Sequence, residues 1–287
     1  MKKLKQNRTL GFIIIALIYI FVSAIGIILF KTLQFDWWLN LLIADVVATL
    51  ITYIFSVIFN NASVYDPYWS VQPIVILTAF AVGNRLSPER LLLLIAVLLW
   101  GIRLTANWCY TFHSFEYEDW RYRMLKEKTD VFYPFINLLG IHLVPTLVVY
   151  LCVLPAVHAF VNEIEPNFLF YILILISYFA FVLQGIADVQ MHAFRKNKTS
   201  NFIRNGLWKY SRHPNYLGEI LMWWGVGLSV VSLFPESYYL LAGAICNTLL
   251  FICVSIPMAD KRQSSKEGFC EYKSQTRALL PIAKKSK

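Results

Sequence analysis

The residues with the clearest chemical potential in this sequence lie in one short run just before an apolar segment. Arg212, His213, Pro214, Asn215 and Glu219 occur there together. Proline fixes φ near −65° and suits the first turn of a helix, so Pro214 predicts a helix start whose first backbone N–H groups are free. A helix N-terminus preceded by cations favours an anion, so the run predicts a phosphate or pyrophosphate site. A juxtamembrane cap with basic residues explains the same run without a ligand.

Ionisable residues inside otherwise apolar segments are a second chemical signal. They are Asp45, Arg103, Asp188 and Glu219. Each costs about 2.5–3.5 kcal/mol on membrane-insertion scales, so each predicts a partner or a polar cavity. The last three lie near the same end of their predicted spans and indicate one polar pocket opening to the cytoplasm. Asp45 lies near the middle of its span, where pairing with another helix explains it.

Aqueous segments on the same predicted side carry many Tyr and Trp residues. These segments are 65–70, 116–123 and 206–216. Aromatic residues at a membrane interface commonly form a belt, but their density around charged residues also favours a site. The acidic and basic residues of 116–123 are explained by pairing along a surface helix.

Apolar stretches supply the elements that must position these residues. A helix needs about 20 apolar residues to cross a hydrocarbon core of about 30 Å. The predicted spans are 10–30, 39–60, 71–84, 91–111, 136–160, 168–190, 216–234 and 238–257. The third is short for a full crossing, so seven or eight spans are expected. The sequence thus predicts an all-α, polytopic transmembrane helix bundle, with an extra N-terminal helix in residues 1–35 and a main domain in 36–287.

Composition and charge support a membrane protein. The chain is 58% hydrophobic and 15% charged, against about 45–50% and about 25% in soluble domains. Of the 26 Lys and Arg residues, only Lys31, Arg85 and Arg90 fall on the predicted outer side, with Arg103 inside a span. This asymmetry predicts that both termini are cytoplasmic and explains the net charge of +9 without nucleic acid. Gly218 and Gly225 are expected to serve helix packing.

Cysteine and histidine spacing gives no sign of a metal or disulfide site. The five cysteines form no CxxC pair, and most lie in apolar segments, where a reduced thiol behaves as a small apolar side chain. His142 and His158 share a predicted span without a companion at metal-ligand spacing, so helix contacts explain them better than a metal.

The chemistry-bearing run belongs to a longer motif. It comprises Gly206, Leu207, Trp208, Tyr210, Arg212, His213, Pro214, Asn215, Tyr216, Gly218, Glu219, Trp223, Trp224 and Gly225, followed by Pro257, Met258, Glu271, Tyr272, Thr276, Leu280 and Pro281. Asp66 with Trp69, and residues 100–104, form two earlier blocks. Together they resemble the steroid 5α-reductase superfamily, particularly its bacterial, functionally undefined branch, over about residues 60–282.

The resemblance implies an enzyme, its cofactor and its site. Members of that superfamily are multi-helix membrane proteins that use NADPH to reduce a C=C bond conjugated to a carbonyl. By resemblance, the cofactor-binding residues here are Arg103, Asp188, Tyr210, Arg212, His213, Asn215, Tyr216 and Tyr272. Asp66 takes the place of the carboxylate that holds the substrate carbonyl. Trp100 stands where steroid-reducing members have a tyrosine, and an indole cannot deliver a proton as a phenol can.

Two other functions remain open from the sequence. The same core motif occurs in membrane isoprenylcysteine and phospholipid methyltransferases, which bind S-adenosylmethionine, but residues 260–265 lack the paired acidic element usual there. A lipid-binding or transport protein without catalysis is the third reading. For the reductase we expect a lipophilic substrate from the bilayer, no nucleic-acid partner, a monomer, and residence in a bacterial cell membrane.

Overall fold

The computed structural model describes residues 5–197 and 200–281, and within these ranges the chain is helical with no β-strand. Its α-helices are α1 (Arg8–Thr32), α2 (Trp37–Phe59), α3 (Tyr68–Gly83), α4 (Pro88–Thr111), α5 (Trp120–Thr129), α6 (Tyr133–Ile136), α7 (Val144–Val161), α8 (Phe168–Asn197), α9 (Pro214–Leu233), α10 (Ala242–Leu250), α11 (Ile256–Gln263) and α12 (Phe269–Gln275). Short 3₁₀ and π segments join α5 to α7 and α10 to α11 into continuous helical stretches.

Within residues 5–197 and 200–281, seven helical stretches are long and apolar enough to cross a bilayer. They are Arg8–Thr32, Trp37–Phe59, Pro88–Thr111, Trp120–Val161, Phe168–Asn197, Pro214–Leu233 and Pro235–Gln263. Lipid offers no partner to backbone N–H and C=O groups, so a helix, which satisfies them internally, is the form such apolar segments take. The predicted all-α, polytopic transmembrane bundle is confirmed. The chain is a multi-pass helical membrane protein.

Helix α3 is the short element that the sequence indicated. It has 16 residues, which gives a length of about 24 Å at ~1.5 Å per residue. It begins at Tyr68, three residues before the predicted start, and contains Pro73 in its second turn. Helix α8 extends beyond its predicted end at 190 to Asn197, because a helix continues past its apolar part into polar residues.

The chain divides into two compact units. The first consists of residues 1–85 and 100–157, and the second of residues 86–99 and 158–287. An aromatic core holds the first unit, in which Tyr19, Tyr65, Tyr68, Phe112 and Phe115 are all buried. In the second unit α9 packs along α8. Helices α4 and α7 each contribute residues to both units.

Two glycines of α9 allow this close packing against α8. A Cβ atom at Gly225 would lie 2.3 Å from Ser177 Oγ and 2.6 Å from the Ser177 backbone nitrogen. A Cβ at Gly218 would lie 2.3 Å from Gln184 Cγ and 3.0 Å from the Ala180 carbonyl oxygen. Small residues at such positions let helix backbones approach in a membrane, as the sequence predicted.

Gly225→Ala should therefore destabilise the protein. The new methyl group meets backbone that cannot move without shifting α8, and overpacking of this kind costs about 1–3 kcal/mol. Gly185→Ala on α8 is the matched control, because a Cβ there has nothing within 4 Å and alanine favours a helix. Thermal unfolding in one detergent measures both. Equal melting temperatures for the two variants would show that the α8–α9 contact yields without cost.

Candidate functional site

In the first unit, a phenol and a carboxylate come together at the membrane-proximal loops. The Tyr122 hydroxyl donates to Asp66 Oδ1 at 2.6 Å. Asp66 lies in the turn before α3, and Tyr122 lies in the first turn of α5, whose N-cap Asp119 accepts from the Arg121 backbone N–H. Tyr122 is only 9% exposed. A hydrogen-bonded phenol and carboxyl can hold or move a proton.

The backbone around this pair is fixed by side chains of neighbouring loops. Asn61 donates from Nδ2 to the carbonyls of Phe115 (2.8 Å) and Tyr117 (3.2 Å). Glu118 accepts from the Ala62 backbone N–H at 2.9 Å. These contacts join the loop that carries Asp66 to the loop that leads into α5. The pair is thus held by the fold and does not depend on a chance encounter of two surface side chains.

The electrostatics of Asp66 suit proton chemistry near neutral pH. Burial raises the pKa of Asp66 from 3.8 to about 6, outweighing the hydrogen bond from Tyr122 and the attraction of Arg121, which both lower it. At pH 7 the ionised form still predominates, and below pH 6 the protonated form does.

Trp100 is part of the packing beside this region. It is fully buried, and its indole meets Trp69 edge-on with ring centroids 5.9 Å apart. Next to it, a Cβ at Gly101 would lie 2.6 Å from the Ser70 carbonyl oxygen, so α4 and α3 are in close contact there. Arg103 lies one turn further along α4 in the same unit.

Tyr122 is the residue that sequence reasoning missed. It stands among charged residues whose pattern indicated a surface helix with pairs four residues apart. In the structure Arg121 pairs instead with Asp119, at 2.8 Å, and Glu118 binds backbone. Asp66 and Tyr122 are 56 residues apart in the sequence, and no local sequence pattern predicts a contact between residues so far apart.

Asp66→Asn should make the protein more stable at neutral pH. Because the folded-state pKa of Asp66 lies above its unfolded value of 3.8, the folded protein holds a proton that the unfolded chain releases between pH 4 and 6. The stabilisation that comes from this bound proton is therefore largest below pH 4 and is lost as the pH rises through 6. The amide avoids this loss, on the order of 1–3 kcal/mol.

Melting temperatures from pH 4 to 7.5 test this expectation. The advantage of Asp66→Asn over the parent should grow with pH across that range. Glu116→Gln, which alters an exposed carboxylate of the following loop, should show no such trend. A parallel pH profile for Asp66→Asn and the parent would refute the assignment of a desolvated carboxyl.

In the second unit, a cluster of charges surrounds Asp260 of α11. Arg212 binds its carboxylate with two nitrogens, Nε to Oδ1 at 3.3 Å and Nη2 to Oδ2 at 2.9 Å. His213 Nε2 lies 3.0 Å from Oδ1, and Lys273 Nζ lies 3.3 Å from Oδ2. The Arg212 and Asp260 side chains are 8% and 5% exposed, whereas Lys273 is half exposed. One carboxylate thus faces at least two cations, which leaves the cluster net positive.

The same cluster ties the C-terminal segment to the start of α9. Arg212 Nη1 donates to the Thr276 carbonyl, and the backbone N–H groups of Arg212 and His213 donate to Arg277 and Ala278, both at 3.0 Å. Tyr272 donates its hydroxyl to the Trp208 carbonyl, and the Trp208 indole donates to Ala187 of α8 at 3.2 Å. Tyr272 and Arg212, which the resemblance placed in cofactor binding, therefore also hold this region together.

Helix α9 begins at Pro214 as predicted, but its first turn differs from the expectation. The backbone N–H groups of Tyr216 and Leu217 both donate to the His213 carbonyl at 3.1 Å. The Leu217 bond is the first regular i to i−4 bond of the helix, so the prediction that the N–H groups of this turn are free is wrong only for Tyr216, which bonds the carbonyl of the N-cap His213. Positive charge for an anion thus comes from the cluster around Asp260 more than from bare N–H groups.

Further along α9, a buried polar network contains acceptors without partners. Glu219 receives hydrogen bonds from Gln184 Nε2 at 2.8 Å and from the Trp223 indole at 3.1 Å. The amide oxygens of Gln184 and Asn215 are buried and have no hydrogen-bond partner. Asn215 lies one turn before Glu219. Leaving a buried acceptor unpaired costs about 1–3 kcal/mol. These two oxygens are suited to a ligand that donates N–H or O–H groups.

The other predicted cofactor residues of the second unit differ in exposure. Tyr216 stacks on His213 with ring centroids 5.0 Å apart, whereas Tyr210 is 54% exposed. Asp188 of α8 is partly buried, next to the Ala187 carbonyl that holds Trp208. The structure brings Arg212, His213 and Tyr216 together. Tyr272 reaches that group through Trp208, in the 3₁₀ turn Gly206–Lys209.

Comparison with known proteins now identifies the family. The model of the family described as "Protein of unknown function (DUF1295)" matches residues 52–276. The chain belongs to the DUF1295 family. That family includes steroid 5α-reductase-like proteins.

A fission-yeast protein is similar to this chain, and its description names no activity. An uncharacterized protein of Schizosaccharomyces pombe is 28% identical over 202 residues, covering 58% of this chain and 57% of the relative. The chain therefore spans little more than half the length of that relative. No solved structure matches this chain.

Asp260→Asn should destabilise the protein strongly. It removes the only full negative charge that faces the buried Arg212 guanidinium in these contacts, and breaking a buried ion pair from one side costs about 3–5 kcal/mol. Glu271→Gln on α12 is the control, because that carboxylate is exposed and accepts from exposed Gln275. Thermal unfolding in detergent compares them. A loss no larger than that of the control would show that Asp260 is not essential to this region.

Proposed function

We propose that this DUF1295 protein is an oxidoreductase that uses NADPH to reduce a C=C bond conjugated to a carbonyl in a lipophilic substrate. The observation that carries the proposal is the Asp66–Tyr122 pair, a desolvated acid held at 2.6 Å by a phenol. Reduction of an enone places negative charge on the carbonyl oxygen, and a positioned acid stabilises that charge. The superfamily resemblance supplies the reaction class.

The roles of the two residues follow from their geometry. Tyr122 donates to Asp66 Oδ1, so a proton on Oδ2 would be available to the substrate carbonyl. Asp66 is then the hydrogen-bond donor to the developing enolate, and Tyr122 is a positioning residue. Position 100 of α4 holds a tryptophan and not a tyrosine. In this arrangement the phenol beside Asp66 is that of Tyr122, in α5. Since Asp66 must be protonated, kcat/KM should fall as the pH rises through about 6.

The second unit contains groups that fit a nicotinamide dinucleotide. The net positive cluster of Arg212, His213 and Lys273 around Asp260 suits a pyrophosphate or a 2′-phosphate. The unpaired amide oxygens of Asn215 and Gln184 suit donors such as a carboxamide NH₂. When bound, NADPH supplies a hydride. The protein supplies orientation and exclusion of water.

The membrane setting defines the substrate class. The part of the chain that the structure describes has seven helices apolar enough to lie in lipid, so a hydrophobic enone can reach the protein from the bilayer. The concentration of Lys and Arg in the N-terminal, 121–128, 195–212 and C-terminal segments supports a cytoplasmic location for both termini and for the cofactor end. Cytoplasmic NADPH is then accessible. We propose that the enzyme acts as a monomer in a bacterial cell membrane.

Ligand-induced thermal stabilisation tests the cofactor. NADPH should raise the melting temperature of the purified protein in detergent. At a hundredfold excess over Kd, binding adds about 2.7 kcal/mol to the free energy of unfolding. Asn215→Ala should weaken that effect, while Gly185→Ala, distant in role and sterically free, should not. Stabilisation by S-adenosylmethionine and not by NADPH would replace this proposal with a methyltransferase. Indifference to both would favour a lipid-binding protein without catalysis.

Turnover tests the acid. With NADPH and a 4-en-3-one steroid or a long-chain linear enone, Asp66→Asn should reduce kcat by about 10²–10⁴ while leaving NADPH affinity intact. Tyr122→Phe removes the hydrogen bond that lowers the Asp66 pKa, so it should shift the descending limb of the pH profile to higher pH. A Tyr122→Phe profile that keeps the parent limb would show that the phenol does not act on Asp66.

A further inference from the structure

The first unit contains a cavity that the reductase proposal does not use. Its volume is about 300 Å³, and it is lined by residues of α1, α2 and α3. That volume lies at the lower end of the range of about 300–1,000 Å³ for small-molecule sites. It suits one hydrocarbon chain or a compact ring system better than a whole phospholipid. Asp66 and Tyr122 do not line it.

The walls of the cavity are apolar along most of its length. Val22, Ile27, Phe30, Val75 and Phe80 lie along it, and Lys31 and Asn84 lie at the ends of α1 and α3. From Tyr19 to Lys31 the cavity follows α1 for about 18 Å, at ~1.5 Å per residue. Such a space, with apolar walls along α1, suits an extended apolar chain.

The other end of the cavity is polar and deeply buried. Asp45 lines it and is 5% exposed. Its carboxylate accepts from the Tyr68 hydroxyl at 3.1 Å and from Gln72 Nε2 at 2.6 Å. A carboxylate at this depth is expensive in a membrane, and such residues usually mark a ligand or ion path.

Gln72 supplies the observation that indicates a ligand. Its side chain is more than nine-tenths buried and lines the cavity, yet its amide oxygen has no hydrogen-bond partner. The Tyr68 hydroxyl and one N–H of Gln72 already donate to Asp45. The unpartnered Gln72 oxygen is an acceptor, so its missing partner must be a donor. A buried acceptor of this kind costs free energy until a donor reaches it.

We infer that the cavity between α1, α2 and α3 binds a long-chain alcohol, with its hydroxyl at Gln72 and Asp45 and its chain along α1. A hydroxyl is a neutral donor, and it crosses the apolar part of the cavity at lower cost than an ammonium group. Lys31 at the other end also disfavours a cationic ligand. This inference is independent of NADPH and of turnover.

Photolabelling of the full-length protein in phosphatidylcholine nanodiscs tests the site. The probe is hexadecanol that carries a diazirine on its alkyl chain, and no nicotinamide is added. Mass spectrometry should locate the label on peptides of α1, α2 and α3. Hexadecanol should compete with the probe about tenfold better than hexadecyl methyl ether, which has the same chain but no donor, since one buried hydrogen bond is worth about that factor.

Matched variants locate the ligand in the cavity. A Cβ at Gly26 meets only the Ala44 carbonyl oxygen, at 3.9 Å, so Gly26→Phe should fill the space and abolish the labelling. Ala24→Phe on the exposed side of α1 should retain it. Gln72→Leu should remove the preference for the alcohol over the ether while keeping the cavity.

Two results would overturn the inference. Equal competition by hexadecanol and its methyl ether in the parent protein would show an apolar groove without recognition of a hydroxyl. Labelling that persists in Gly26→Phe at the parent level would place the probe on the lipid-facing surface. Size-exclusion profiles of the variants establish that each is folded, and NADPH binding, measured separately, reports on the reductase proposal alone.

Discussion

Polar groups in a chain surrounded by lipid must find their partners inside the protein, and this constraint organises both units. The buried carboxylates show it most directly. Asp260 is met by Arg212 and Lys273, Glu219 by Gln184 and Trp223, and Asp45 by Tyr68 and Gln72. Each of these carboxylates is held by donors from its own unit. The matching is incomplete at Asn215, Gln184 and Gln72, each of which has a buried amide oxygen without a hydrogen-bond partner.

The sequence predicted the elements well because their signals are local. Apolar length identified the spans, including the short third one, and Pro214 identified the start of α9. The partners of the chemical residues were not predictable in this way. Asp260 lies 48 residues after Arg212. In the sequence, residues 260–265 showed only that the acidic pair usual in the methyltransferases is absent. Tyr122 was hidden among charges that fit an ordinary surface helix. Pairings between distant segments depend on how helices pack, which periodicity does not encode.

The short helix α3 connects the fold to the orientation of the protein. If α3 crosses the bilayer, the basic segments around residues 2–8, 121–128, 195–212 and the C-terminus share one side. If it does not, the N-terminal basic segment and the later ones lie on opposite sides, against the tendency of Lys and Arg to stay cytoplasmic. The charge pattern is therefore the one expected if α3 crosses, and a helix of 16 residues can cross where the bilayer thins locally. In that arrangement Asp66, just before α3, would lie on the same side as these basic segments.

Asp45 and Asp66 of the first unit differ in their hydrogen-bond partners. Asp45 has donors on both oxygens, Tyr68 and Gln72, both supplied by α3. Asp66 has a phenol on one oxygen, and burial holds its pKa at about 6. A group with that pKa changes its protonation at little cost near neutral pH, as an acid–base group must. Replacement of this desolvated acid by an amide would favour the folded state. Its retention is the pattern expected where stability is sacrificed for reactivity.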